Sequence, residues 1–359
     1  MQSTLEKGTI KAASKKRTAW IVPALGIVLL ISILFASAFG AVSVPITDII
    51  KMAAHKFGLF NIPVTWRAAD ETIIFQLRFP RVVGAALVGA GLSSAGVIFQ
   101  GLLRNPLADP YIIGTSAGAA FGATIAMMLP VSFALLGFGL VSLFAFAGGL
   151  TTVLIVYNLA RSNGRAPVIN MLLAGFIVSA LLTAAMTFFI SLSERFGLNL
   201  HAVYAFITGS VSVTSWEQVG VVGVTVASGT AITFLFARHL NAFSLGEEGA
   251  AYVGVSVERD KVFLLAAGSL LTAAAVALSG LVGFVGLIVP HAVRLALGPD
   301  HRRLAPASAL IGAILLVVCD VLARSILAPV EIPVGVITAI IGAPFFIYLL
   351  KKTGKKYTF

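Results

Sequence analysis

Four groupings of residues in this chain have types and spacings that could do chemistry. Gly114-Thr115-Ser116-Ala117-Gly118 fits the G-x-S-x-G pattern, in which a serine on a sharp strand-to-helix turn acts as an acyl-transfer nucleophile. Asp320 and Arg324 stand at i and i+4 within an apolar run, a spacing that pairs carboxylate and guanidinium on one helix face. Arg78 and Arg81 flank Pro80 at the mouth of a second apolar run, where they can offer charge to acidic groups. Glu247 and Glu248 follow Gly246 and open a small-residue segment that reaches Gly254. A short helix over 247–253 would place both carboxylates in its first turn, where the helix dipole favours them.

Each grouping also has a plainer reading. The serine pattern needs a preceding strand and an Asp/His pair, but both flanks read as membrane helix, so local backbone hydrogen bonding accounts for Ser116 better than nucleophilic attack. Charges at the ends of membrane helices often only anchor them at the interface, and a glycine-bounded loop is also an ordinary solvated connector. Asp320 is the nearest candidate for a proton or ion relay, yet Arg324 is placed to pair with it. The five histidines, His55, His201, His239, His291 and His301, fall in no metal-ligand spacing. Cys319, the only cysteine, excludes an intrachain disulfide and a cysteine-based zinc site. The chain is therefore expected to bind no metal or cofactor and to have no catalytic residue.

The elements that hold these residues are membrane spans. Hydrophobic residues make up 58% of the 359 and charged ones 11%, against about 25% charged in a soluble domain. A net charge of +11 could point to nucleic acid, but the basic residues sit in short loops between apolar runs, which is a topology signal. No nucleic-acid partner is expected. The fold class is an all-α polytopic membrane protein with ten spans, at 19–42, 80–103, 112–129, 131–160, 167–191, 219–240, 261–279, 281–297, 304–327 and 333–350. The fourth is long enough to run into a loop, and the eighth, with Pro290, is short enough to be broken or kinked. Ala36-Ser37-Ala38 resembles a signal-peptide cleavage site, but the apolar run before it is too long, so the first span stays uncleaved. With the N-terminus inside, the inner segments hold 18 of the 25 lysines and arginines, which puts both termini in the cytoplasm. The chain then divides into a basic segment 1–18, a ten-helix body 19–350 with its longest inner loop at about 241–260, and a basic tail 351–359. Gly84, Gly89, Gly91, Gly96 and Gly101 make the second span smooth enough for the centre of a bundle.

Four blocks of sequence carry a resemblance: LRFPR (Leu77–Arg81), GLLRNPLADPYIIGTSAGA (Gly101–Ala119), GLVGFVGLIVPHAVR (Gly280–Arg294) and EIPVGVITAIIGAPFF (Glu331–Phe346). In this order they closely resemble the transmembrane permease family of binding-protein-dependent type II ABC importers for ferric siderophores, haem and cobalamin. The resemblance covers about Thr18 to Lys352. It implies ten helices per subunit, a homodimer or paired related permease with the pathway on the shared axis, two cytoplasmic ATP-binding subunits and an extracytoplasmic substrate-binding protein. Gly246, Glu247, Glu248, Ala250 and Gly254 match the helix that docks the ATPase. Gly249 departs from the pattern and costs about 1 kcal/mol of helix propensity. Arg78, Arg81 and Arg324 match arginines that receive glutamates of the binding protein, which reverses the anchor reading for these three.

No G-x-x-x-x-G-K-[ST] phosphate loop occurs in the chain, so ATP is expected on the partner subunits. The central cavity is expected to be large and mostly apolar, with Gln100, Asn158 and Asn170 as polar candidates for its wall. The implied function is import of a bulky iron chelate, a ferric siderophore, across a bacterial or archaeal cytoplasmic membrane. Cobalamin or haem on the same machinery is the alternative, and an ATP-independent secondary transporter is the competitor from another class.

Overall fold

A computed structural model describes residues 20–354 apart from 41–43, 57, 59–62 and 163. The basic segment 1–18 and residues 355–359 of the tail lie outside the described residues. Apart from a single helical turn at Ser193–Phe196, the helices in chain order are α1 (Ile21–Ala38), α2 (Ile46–Lys56), α3 (Ala68–Leu102), α4 (Thr115–Met128), α5 (Leu140–Ala160), α6 (Val168–Ser191) and α7 (Leu200–Thr208). They continue with α8 (Trp216–Leu235), α9 (Ala237–Phe243), α10 (Glu247–Tyr252), α11 (Val257–Ser279), α12 (Val285–Leu297), α13 (His301–Ser325) and α14 (Val334–Gly354). The molecule is mostly helical and of polytopic membrane type. Among the described residues, seven helices, α1, α3, α5, α6, α8, α11 and α13, are long and apolar enough to cross a membrane. The other three expected positions hold shorter apolar helices, α4, α12 and the Val334–Leu349 part of α14.

Three boundaries differ from the sequence reading for local physical reasons. The second span begins at Ala68 rather than 80, and Ile73–Arg78 within it is π-helical. Pro80 follows that wider turn; a proline has no N–H to donate and its ring crowds the carbonyl four residues back, and widening the turn relieves both. The fourth span starts at Leu140, because Ala134–Leu135 and Phe138–Gly139 pair as a tiny antiparallel hairpin. The eighth span, expected at 281–297 and broken or kinked by Pro290, begins only at Val285 and holds Pro290 within a continuous helix. The chain leaves the helix at Gly280 (φ 62°) and re-enters after Phe284 (φ 70°).

Such a break is tolerated at membrane depth only if its backbone polar groups find partners. Ser210 N donates to Ser279 O at 2.8 Å, Leu281 N to Phe206 O at 3.0 Å, and the Tyr111 hydroxyl to Val282 O at 3.2 Å. The break is held by the last turn of α7 and the stretch after it, and by the turn before α4.

At the centre lies α3, with 83% of its apolar window buried, against 17% for α1 and α6. Its glycines explain the difference. A Cβ on Gly89 would collide with the Gly312 carbonyl of α13, and one on Gly96 with the Gly286 carbonyl of α12. Along α3, Arg81 meets Asp320, Gly89 meets Gly312 and Gly101 meets His301, so α3 and α13 run antiparallel over their whole contact. Neighbours α8 and α11 fix the remaining directions, since Gly84 packs on Val213 and Leu278, Gly91 on Val226 and Gly268 on Phe99. The Arg78–Arg81 segment and the 244–261 loop therefore occupy opposite ends of the bundle.

Candidate functional site

At the arginine end, Asp320 of α13 is 1% exposed and sits between two guanidiniums: Arg81 Nε lies 3.1 Å from Oδ1 and Arg324 Nε 3.0 Å from Oδ2. The i,i+4 pair read from sequence is formed. Arg81 also donates through Nη1 and Nη2 to both oxygens of Glu331, at 2.9 and 2.8 Å. The Arg81 guanidinium, by hydrogen bond and charge, holds the Glu331 carboxyl below the usual glutamate range despite partial burial.

The three arginines are less exposed than the sequence led us to expect. Arg78 is 7% exposed and Arg324 6%. Both turn toward the C-terminus of α1, whose last turn has no basic residue of its own. Arg324 donates to Phe39 O at 2.9 Å and Ala36 O at 3.1 Å, and Arg78 to Ser37 O at 3.2 Å. The last carbonyls of a helix have no partner within it and carry the negative end of its dipole, so two cations from α3 and α13 are well placed there. Arg81 differs from its neighbours, because its other carboxylate partner, Glu331, has a side chain 47% exposed.

At the opposite end, α10 has the glycine bounds anticipated from sequence, one residue shorter than expected. Gly246 (φ 94°) and Gly254 (φ 88°) occupy the left-handed region that other residues avoid, and Ala250 N closes the first turn onto Gly246 O at 2.8 Å. Ala250 faces inward, fully buried. Gly249 has a reason of its own, since a Cβ there would lie 2.8 Å from the Cβ of Leu245. Glu247 is held by Lys261 of α11, which is 2% exposed; Nζ reaches Glu247 at 2.8 Å, Glu258 at 2.9 Å and the Ala166 carbonyl at 3.0 Å. Beside it, Asp260 pairs with His239 at 2.6 Å and Arg259 at 3.3 Å. Glu248 is exposed, as are Leu245, Val253 and above all Tyr252 at 90%.

Lys261 entered the sequence reading only as an inner positive charge. Its Glu258-x-x-Lys261 spacing was the available signal, but the contacts to Glu247 and Ala166 are tertiary. Of the polar candidates for the pathway wall, Gln100 is buried and lines a cavity at the loop end. Asn170 stands exposed in the first turn of α6 and Asn158 bonds its own helix at Leu154 O, exposed. The structure does not bring either to a cavity with Gln100. An open, mostly apolar cavity of about 620 Å³ lies instead between the end of α7, the 281–284 break and α14, with Thr208, Leu281, Phe284, Gly335 and Ile340 on its wall. Ser116 sits in the first turn of α4 after a left-handed Gly114, and no strand precedes it.

Comparison with known proteins bears on the fold and the family. The FecCD transport family matches residues 28–352. The cobalamin import system permease protein of Halobacterium salinarum is 44% identical over 292 residues, covering 81% of this chain and 76% of that protein. A Bacillus subtilis permease assigned to a siderophore transport system is 38% identical, covering 96% and 97%. Among solved structures, an ABC transporter assigned to the metal-chelate type, in an inward-facing conformation, superposes with a TM-score of 0.76 at 30% identity, over 93% of this chain and 99% of that one.

Proposed function

The chain belongs to the FecCD transport family, and from that premise we propose that it is the membrane permease of an ABC importer for a bulky metal chelate, a ferric siderophore. The observation that carries this reading is the placement of two unlike docking features at opposite ends of one bundle. At one end, α10 is a short, glycine-bounded helix with Tyr252, Val253 and Leu245 exposed and Glu247 tied to α11. That is the form of a peg that inserts into a groove on an ATP-binding subunit and passes movement to a long helix. At the other end, Arg81 shares a half-exposed Glu331, a pair that an incoming glutamate of a binding protein can exchange with. Arg78 and Arg324 support that surface from beneath by fixing α1.

The orientation places the loop end in the cytoplasm, where the lysine and arginine excess lies, with ten spans and both termini inside. The 620 Å³ cavity beside Gly335 and Ile340 is open on one flank, and a second copy, or a related permease, closes it on the shared axis. ATP binding and hydrolysis on two partner subunits shift α10, and the paired bundles alternately open to each side. Cobalamin is the second reading, favoured by the 44% identity to an archaeal cobalamin permease, whereas the siderophore relative covers more of the chain.

Uptake into proteoliposomes holding this chain and its ATP-binding subunit, with the binding protein outside, tests both points. Ferric siderophore, cobalamin and haem are offered in parallel, with and without internal ATP. ATP-dependent accumulation of the siderophore is expected. Accumulation of cobalamin instead moves the substrate to the second reading. Uptake indifferent to ATP overturns the importer in favour of a secondary transporter.

A further inference from the structure

The Lys261 ammonium has three N–H donors, and each finds an acceptor in a different part of the chain. Glu247 belongs to α10, Glu258 to the first turn of α11, and the Ala166 carbonyl to the short connection between α5 and α6. No donor is left for a fourth partner. Acceptors bound to one nitrogen do not move independently: a shift of Glu247 re-aims the N–H bonds that hold Ala166.

Ala166 is fully buried and held through both of its backbone polar groups. Its carbonyl accepts from Lys261, and its N–H donates to Glu258 Oε2 at 3.4 Å, while Glu258 Oε1 accepts from Lys261 at 2.9 Å. The three residues close a ring. The chain on either side of it is stiff. Before it, Ser162 and Arg165 exchange backbone hydrogen bonds at 2.8 and 3.0 Å. After it comes Pro167, whose ring fixes φ at −59°, and whose carbonyl accepts from Met171 N at 3.1 Å to open α6. A displacement of Ala166 therefore reaches the first turn of α6 with little lost on the way. Helix α6 is itself lightly held, with 17% of its apolar window buried against 72% for α11.

On the other side of Lys261, the pair with Glu247 is the one side-chain ion pair or hydrogen bond that α10 makes among the described residues. Apart from the chain itself, α10 is otherwise fixed by the buried Ala250. Taking α10 as the docking peg proposed above, we infer that Lys261 is the positioning residue that relays a shift of this peg to α6, with Glu258 fixing the ammonium against Ala166. The peg is thereby connected to a second span besides α11, and to one that is free to swing.

Hydrogen exchange tests the relay in the complex of this chain with its ATP-binding subunit in nanodiscs, followed with and without ATP over residues 244–256 and 161–172. In the wild type, ATP is expected to change exchange in both segments. In Lys261→Met the change over 244–256 should persist, while that over 161–172 falls by about fivefold or more. Lys261→Arg, which keeps charge and donors, should restore part of it. A static brace would alter exchange over 161–172 equally with and without ATP. An ATP response there that survives Lys261→Met therefore overturns the relay. So does a wild type in which 244–256 responds to ATP and 161–172 does not. A wild type in which neither segment responds removes α10 as the docking peg, and the relay with it. If Lys261→Met does not assemble, Glu247→Gln, at a partly exposed acid, takes its place. It is expected to lower the same response, and an unchanged one counts against the proposal.

Discussion

At the arginine end, Arg81 and Arg324 meet two carboxylates, Asp320 and Glu331, and a third guanidinium, Arg78, meets backbone carbonyls; at the loop end a single ammonium, Lys261, meets Glu247 and Glu258. The positive surplus at the first is absorbed by the carbonyls that end α1, so Arg78, Arg324 and Asp320 stay buried and join α1, α3 and α13, while Glu331 remains half exposed. The negative surplus at the second is left partly in water, with the Glu247 side chain 42% exposed. The contrast separates a fastening from a latch. Where charges are desolvated, as at Arg78, Asp320 and Arg324, removing one member strands another. Where the acids are hydrated, breaking the contact costs little, which suits a helix that must move.

Asp320→Ala tests the fastening most severely. It leaves Arg81 and Arg324 without their shared buried acid and is expected to cost about 3–5 kcal/mol, read as a large fall in Tm in detergent or nanodiscs. A loss below about 1 kcal/mol would erase the distinction between the ends. Lys261→Met strikes the corresponding centre of the latch. Its freed acids can hydrate, so a smaller loss of about 1–2 kcal/mol is expected, together with a marked fall in ATP-driven uptake.

Glu331 refines the comparison within the arginine end. Because it is half exposed, Glu331→Gln should cost no more than about 1 kcal/mol. Its depressed titration sets the sign of the pH dependence. The stabilisation is complete above the ordinary glutamate value of about 4.3 and is lost as pH falls through the lower folded value. Melting curves of the wild type and Glu331→Gln are thus expected to differ at pH 7 and to converge in stronger acid. Tyr252→Ala has the smallest expected effect on stability, within about 0.5 kcal/mol, yet it should weaken capture of the ATP-binding subunit in pull-down from membranes. Unchanged capture would remove α10 as the docking peg.

Much of this was legible in the residues. Apolar runs located helices at each expected position, the glycines of α3 marked the central helix, and Asp320 and Arg324 announced their pairing by spacing. What sequence could not supply was who faces whom. Nothing near Arg78 or Arg324 says that both turn toward Ala36–Phe39, since that partner is a helix end distant in the chain. Lys261 reads as one basic residue among many until Ala166 and Glu247 fold against it. The π-helical turn before Pro80 was missed because Gln76 and Arg78 interrupt the apolar run, and the turn after 279 was read as a bare boundary at 280 because Leu281–Phe284 are as apolar as the helix that follows. Asn170 was chosen for being polar within an apolar run, a criterion blind to which face of α6 it occupies.

The glycine seam of α3 has a mechanical consequence. Where Gly89 meets Gly312 and Gly96 meets Gly286, backbone rests on backbone with no intervening side chains to reorient. A joint of that kind has neither slack nor alternative settings, so it carries load without creep. Helices α3, α12 and α13 should turn together as one stator, and the working stroke is left to the side-chain-lubricated helices around them.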